Sequence, residues 1–302
     1  MGDLKLFDIS GTQVSQIDVQ SLDLERNLQA VFEKNLETLL GVRLLASEYA
    51  TSNGGRMDSL GIDENCCPVI IEYKRTRSEN VINQGLFYLD WLMDHQAAFE
   101  LLVRDKFGKE EADKIEWSAP RLICIAGDFT KYDKHAVNQM PRNIELIRFA
   151  RFGDGLLLLD QLTAVNVQPV KTPSVGSASV GKTYYKSVSE YIEDADESLT
   201  ALYDSVRDYL MTLGDDVQER VLKFYVAFKR IKNFACVEVR PGVQTVKIYL
   251  KVDPTSVEID ASYMRDMRKI GHYGTGDLEI DVRSLETLEK AKAFIRMSYE
   301  NA

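Results

Sequence analysis

The chain has 302 residues and carries 37 Lys and Arg against 47 Asp and Glu, a formal net charge of −10, with apolar and charged fractions of 45% and 28%. That length allows two domains, each with its own core. The acidic balance excludes a general nucleic-acid coat, whose affinity comes from clustered Lys and Arg, but leaves room for a local basic groove. The opening MGDLKLFDIS has neither the basic start nor the apolar run of a signal peptide. No stretch approaches the roughly 18 apolar residues of a membrane span. The four cysteines, Cys66, Cys67, Cys124 and Cys236, lack metal-ligand spacing. They read as reduced core or strand residues of a cytoplasmic protein.

In chain order, SLDLERNLQAVFEKNLETLLG predicts a helix, with Leu24, Leu28, Phe32, Leu36 and Leu39 at helical spacing and Gly41 as its stop. VRLLASEYA predicts a strand. GRMDSLGID and PVIIEYKR predict the two strands of a hairpin, with Asp63, Glu64 and Asn65 in the turn. A long helix follows, capped by Ser78 and ended by Gly108. RLICIAG reads as a buried strand and KYDKHAVNQM as a short helix. IELIRFARFG and GLLLLDQL are strands joined at a Gly-Asp-Gly turn. The order describes an α/β (α+β) core with a mixed sheet flanked by helices.

Between residues 165 and 185 Pro, Ser, Gly and Thr dominate and no apolar period survives, which predicts a linker. The chain then divides into a first domain at 1–164 and a smaller α+β domain at 186–302. In the latter, SVSEYIEDADESLTALYDSVRDYLMTLG reads as one or two helices and DDVQERVLKFYVAFKRI as another. NFACVEVR and TVKIYLKVD are strands meeting at Pro241-Gly242, and SLETLEKAKAFIRMSYENA is a closing helix. Lys and Arg are interleaved with Phe and Tyr from Phe224 to Pro254, a composition suited to single-stranded nucleic acid or simply to a hairpin with core aromatics. The segment MRDMRKIGHYGTGDLEIDV suggests a shaped loop.

The chemistry concentrates in the predicted hairpin. Asp58 lies on its first strand, and Glu72 and Lys74 on its second. Residues two apart on a strand share a face, so Glu72 and Lys74 point together and Tyr73 points into the core. Two converging carboxylates suit a hard cation, Mg²⁺ or Mn²⁺. An ammonium group beside them can orient water and stabilise charge on a phosphoryl transition state. Such a set is what phosphodiester hydrolysis requires. An exposed ion pair between Glu72 and Lys74 is the plainer alternative, weakened by the apolar PVII run before it. Glu48, at the end of the preceding strand, is a further candidate ligand or a partner for a basic residue.

The run G-R-x-D followed by P-V-I-I-E-Y-K resembles the catalytic core of the PD-(D/E)XK nuclease superfamily, nearest to its RecB-like and NucS-like mismatch endonuclease domains, over roughly residues 20–160. The resemblance implies a restriction-endonuclease-like αβββαβ core and a metal-dependent nuclease acting on DNA, in repair or in defence against foreign DNA. It implies metal binding by Asp58 and Glu72, with Lys74 assisting. Gln84 and Tyr88 match the Q-x-x-x-Y of the RecB-like branch and fall on one helical face. A further acid from the first helix is implied, with Glu25 preferred and Glu33 or Glu37 as alternatives. Arg56, Arg75 and Arg77 are candidate phosphate contacts. Nucleases that cut both strands often act as dimers, so a homodimer is an open expectation. The alternative is a nuclease fold without turnover that binds nucleic acid or protein.

Residues 190–300 resemble a domain of unknown function found behind such nuclease-like domains, notably in YVAFKRIKNFACVEVRPG and IGHYGTGDLEI. Relatives of that domain carry the label of predicted transport proteins. The lack of any membrane-length apolar run speaks against the label, and recognition, dimerisation or regulation are the roles left to it.

Overall fold

The structure is a computed structural model that describes residues 4–20, 25–74, 80–164 and 186–302, without the side chains of Glu25, Arg26 and Ala164. The expected linker, the Ser78 cap, Arg75 and Arg77 lie outside the described residues. The chain divides into two compact units. The first holds the described residues up to Ala164, except Asp63–Cys67 and Ile115–Ala119. Those two segments belong with the second unit, which is otherwise formed from Lys186 onward.

The first unit opens with a feature the sequence reading lacked, the strands β1 (Leu6–Ser10), β2 (Gln13–Ile17) and β3 (Val19–Gln20). Its next elements are α1 (Glu25–Leu40), β4 (Val42–Ala50), β5 (Arg56–Asp63), β6 (Pro68–Lys74), α2 (Val81–Asp94), α3 (Gln96–Phe107), α4 (Lys109–Ala112) and β7 (Arg121–Ala126). With α2–α4 taken as one helical layer, this is the expected αβββαβ order. The unit closes with α5 (Lys131–Asn138), β8 (Asn143–Phe152) and β9 (Leu156–Ala164). The single long helix expected over residues 78–108 is instead broken at His95, whose φ and ψ of −121° and 37° leave the helical region. The break lets α3 bury its own short face, Phe99 and Val103.

β1 and β2 form a separate two-stranded sheet, and the main sheet runs β3-β8-β7-β6-β5-β4 with β9 on β8. It is mixed: β6, β7 and β8 are parallel to one another, while β5 meets β6 and β9 meets β8 antiparallel. Helices cover both faces. On one, Phe32 of α1 packs against Tyr73 of β6, ring centroids 5.6 Å apart. On the other, α2 approaches β7 so closely that a Cβ on Gly85 would lie 2.4 Å from Leu122 Cδ1. Leu122 pairs with Ile70, so α2 lies over the face that also carries Glu72 and Lys74.

The second unit contains α6 (Val188–Glu193), α7 (Glu197–Met211), β10 (Gln218–Val221), β11 (Val226–Lys229), β12 (Asn233–Arg240), β13 (Thr245–Leu250), β14 (Met264–Asp266), β15 (Leu278–Val282) and α8 (Leu285–Glu300). Its antiparallel sheet runs β10-β11-β12-β13-β15-β14. Leu199, Val206, Leu288 and Ile295 from the helices share one core with Val226, Phe228, Val237, Ile248 and Ile280 from the sheet. The helix expected over DDVQERVLKFYVAFKRI is the β10–β11 hairpin. Its apolar residues fit a three-to-four spacing, but Val226 and Phe228 alternate toward the core and β12 supplies the hydrogen-bond ladder. Among the described residues no helix is long and apolar enough to cross a membrane, and all four cysteines are free thiols.

Candidate active site

β5 and β6 pair with Ser59 opposite Ile71 and Leu60 opposite Ile70, a register that sets Asp58 opposite Glu72. Directly opposed residues of an antiparallel pair point to the same face. The two carboxylates are tied to each other's strand. The backbone N–H of Asp58 donates to Glu72 Oε1 at 3.2 Å, and that of Tyr73 donates to Asp58 Oδ2 at 2.9 Å. Asp58 and Lys74 are half-buried, whereas Glu72 has no exposed surface.

Glu72 is the least satisfied of the three. Its Oε2 is buried and has no hydrogen-bond partner among the described residues. Burial pushes its carboxyl up to about 8, the negative charge of Asp58 adds to the rise, and the Asp58 N–H and Lys74 offset it in part. Glu48 contributes a further, smaller push upward. The Tyr73 hydroxyl, on the opposite face, is raised above its ordinary range by burial.

The Q-x-x-x-Y pair acts one step away from the carboxylates. Gln84 Nε2 donates to Tyr88 Oη at 3.2 Å, and Tyr88 Oη also accepts the backbone N–H of Arg56 at 3.2 Å. Tyr88 is buried, and its ring closes on Gly55, where a Cβ would lie 2.4 Å from Cε1. The pair therefore fixes the entry of β5, two residues before Asp58. Its contacts position the strand and do not reach the carboxylates.

The remaining sequence candidates divide. Arg56 forms an exposed ion pair with Glu48 at 2.6 Å, which realises the basic-partner reading of Glu48. Glu48 also adopts φ of 53° inside β4, a left-handed conformation uncommon for a residue other than glycine. The Glu25 side chain is outside the described residues. Glu33 accepts Ser59 Oγ at 2.6 Å and Gln29 Nε2 at 3.0 Å, and Ser59 in turn reaches Tyr73 Oη at 3.3 Å. Glu33 thus stands on the Tyr73 side of the sheet, and Glu37 is exposed on α1. Among the described residues no three His, Cys, Asp or Glu side chains gather as a metal site. One contributor the sequence reading missed is Gln29, whose Nε2 donates to the Asp58 carbonyl at 2.9 Å. Nothing in its helical context marks it, because its partner lies 29 residues on.

Two carboxylates suffice for a cation that keeps most of its water. Mg²⁺ is commonly held by one or two carboxylates together with substrate phosphate. The orphaned Glu72 Oε2 beside Asp58 fits that requirement.

Comparison with known proteins gives similarity of two kinds. Residues 188–302 match the family model described as a domain of unknown function, DUF5655. A protein of Haemophilus influenzae, described as uncharacterized, is 28% identical over 307 residues, spanning 99% of this chain and all of the relative. Among solved structures, a repair endonuclease from Pyrococcus abyssi matches 43% of this chain and 49% of its own at 18% identity and a TM-score of 0.28. EndoMS without ligand matches 45% and 50% at 20% identity and a TM-score of 0.28. EndoMS in complex with double-stranded DNA matches 48% and 64% at 18% identity and a TM-score of 0.29. The chain thus spans about half the length of the first two structures.

Proposed function

We propose that the first unit is a Mg²⁺- or Mn²⁺-dependent nuclease that hydrolyses phosphodiester bonds of DNA. The observation that carries this reading is Glu72: a fully buried carboxyl facing Asp58, with one oxygen left without a partner. Burying a polar atom without a partner is costly, and a carboxyl desolvated beside a second carboxylate is a candidate functional group.

Asp58 and Glu72 would hold the cation. Bound there, a divalent cation supplies Lewis-acid stabilisation of phosphoryl charge and lowers the pKa of water to near neutrality. Lys74, on the same face, stabilises the negative charge that develops on the phosphoryl oxygens and orients the attacking water. Gln84 and Tyr88 fix the entry of β5, two residues before Asp58. Arg75 and Arg77, shortly after Lys74 in sequence, remain candidate phosphate contacts. A cytoplasmic role in repair or in defence against foreign DNA suits such an activity.

The test is cleavage of labelled DNA and RNA in single-stranded, duplex and branched forms with Mg²⁺ or Mn²⁺. Wild type runs beside Glu72→Ala and Lys74→Ala. Metal-dependent cutting of DNA that both substitutions remove is the expected result. A folded wild-type protein that binds DNA and cuts none of these substrates would replace the nuclease with a binding module.

A further inference from the structure

The second unit presents an exposed aromatic stack that the cleavage chemistry does not use. The rings of Phe224 and Tyr273 lie 4.5 Å apart at 25°, and Lys223 Nζ stands 4.9 Å from the Phe224 centroid. Phe224 is half-buried, while Lys223 is exposed and Tyr273 is 44% exposed. The loop that carries Tyr273 is anchored on both sides of it. His272 stacks on Tyr249 with centroids 4.6 Å apart at 19°, and the Thr275 N–H donates to Cys236 Sγ at 3.3 Å. Gly274 and Gly276 adopt φ of 80° and 136°. A Cβ at these positions would lie 2.7 Å from Cys236 Cβ and 2.6 Å from Leu250 N. Only glycine lets the loop press this closely on β12 and β13, and Tyr273, beside Gly274, is exposed.

A rigid outward aromatic face beside an ammonium group is suited to a flat, electron-rich ring attached to an anion. Stacking on aromatic side chains together with phosphate contacts from Lys is the usual basis of single-strand binding. Lys223 repels a cationic ligand from the same surface. We propose that Lys223, Phe224 and Tyr273 form a site for an unpaired nucleobase of single-stranded DNA, with Tyr273 stacking on the base and Lys223 contacting its phosphate. The proposal rests on the nuclease reading and names the substrate feature that the second unit selects.

The experiment uses the full chain carrying Glu72→Ala, so that binding is read without cleavage. It is titrated with a single strand of about 12 nucleotides, within the span of common single-strand sites, containing 2-aminopurine, and with the same sequence as a duplex. The expected result is quenched fluorescence on the single strand. Tyr273→Ala then weakens single-strand affinity by about 5- to 150-fold, the equivalent of about 1–3 kcal/mol of stacking. Tyr273→Phe retains the affinity, and Lys223→Gln reduces the salt slope by about 0.7. Unchanged single-strand affinity in Tyr273→Ala, or an equal loss on the duplex, would overturn the proposal. The two readings fail separately. Loss of binding in Tyr273→Ala with an inactive wild type removes the nuclease and keeps the base site. Cleavage by wild type with no effect of Tyr273→Ala does the reverse.

Discussion

Two glutamates in the same sheet, both with no exposed surface, are treated in opposite ways. Glu145 on β8 receives Arg121 Nε at 2.8 Å and Nη2 at 2.9 Å, and Gln161 Nε2 approaches at 3.4 Å. Its charge is neutralised by a bidentate partner within the fold. Glu72 on β6 has one backbone N–H at 3.2 Å, a second carboxylate opposite it and an oxygen with no partner. Burial alone therefore does not separate the two acids. What separates them is whether the fold compensates that burial.

The largest expected effect that separates the two glutamates is on turnover. Lys74→Ala should slow metal-dependent cleavage by roughly 10²–10³-fold, as when one preorganised stabiliser of transition-state charge is removed, and Glu72→Ala should abolish it. Single-turnover cleavage assays read both. Arg121→Ala should instead act on stability, because it strands Glu145 in the interior. The expected cost is about 3–5 kcal/mol, read by urea unfolding and not restored by Mg²⁺.

A smaller effect separates the two acids by pH. Folding raises the Glu72 carboxyl from its ordinary 4.5 to about 8, so the folded state binds that proton more tightly than the unfolded state. The associated stability is fully present below the unfolded value and is lost as pH rises through the folded one. In EDTA, the stability of wild type relative to Glu72→Gln should therefore fall between about pH 5 and 8 and level off above. Thermal unfolding across that range checks it; a flat difference would place Glu72 with the compensated acids. The smallest effect is expected from Tyr88→Phe, which removes the acceptor for the Arg56 N–H. A loss of about 0.5–1.5 kcal/mol in thermal or urea unfolding, with metal affinity retained, is the predicted outcome.

The parts of the fold legible in the sequence are those where local pattern and burial agree. The apolar run before Glu72, the turn residues after Ile62 and the two-residue spacing to Lys74 define β5, β6 and the shared face without reference to distant contacts. The β10–β11 hairpin was hidden because its apolar residues fit a helix as well as a strand. Pairing with β12, which decides between them, is not local. β1 and β2 expose most of their side chains, so they leave no core-facing pattern to read. The helix break at His95 has neither Gly nor Pro to announce it. At the site, Asp58, Glu72 and Lys74 follow from strand geometry. That Tyr88 holds the Arg56 backbone, and that Glu33 serves Ser59, depends on how α2 and α1 dock on opposite faces.

The most direct test of an uncompensated acid is metal binding itself. Titration of the metal-free protein with Mn²⁺, followed by calorimetry and by electron paramagnetic resonance of free Mn²⁺, should show an ion bound by wild type and by Tyr88→Phe. Glu72→Gln should lose that binding. Equal Mn²⁺ affinity in wild type and Glu72→Gln, or none in wild type, would contradict the assignment of Glu72 and Asp58 as the cation site.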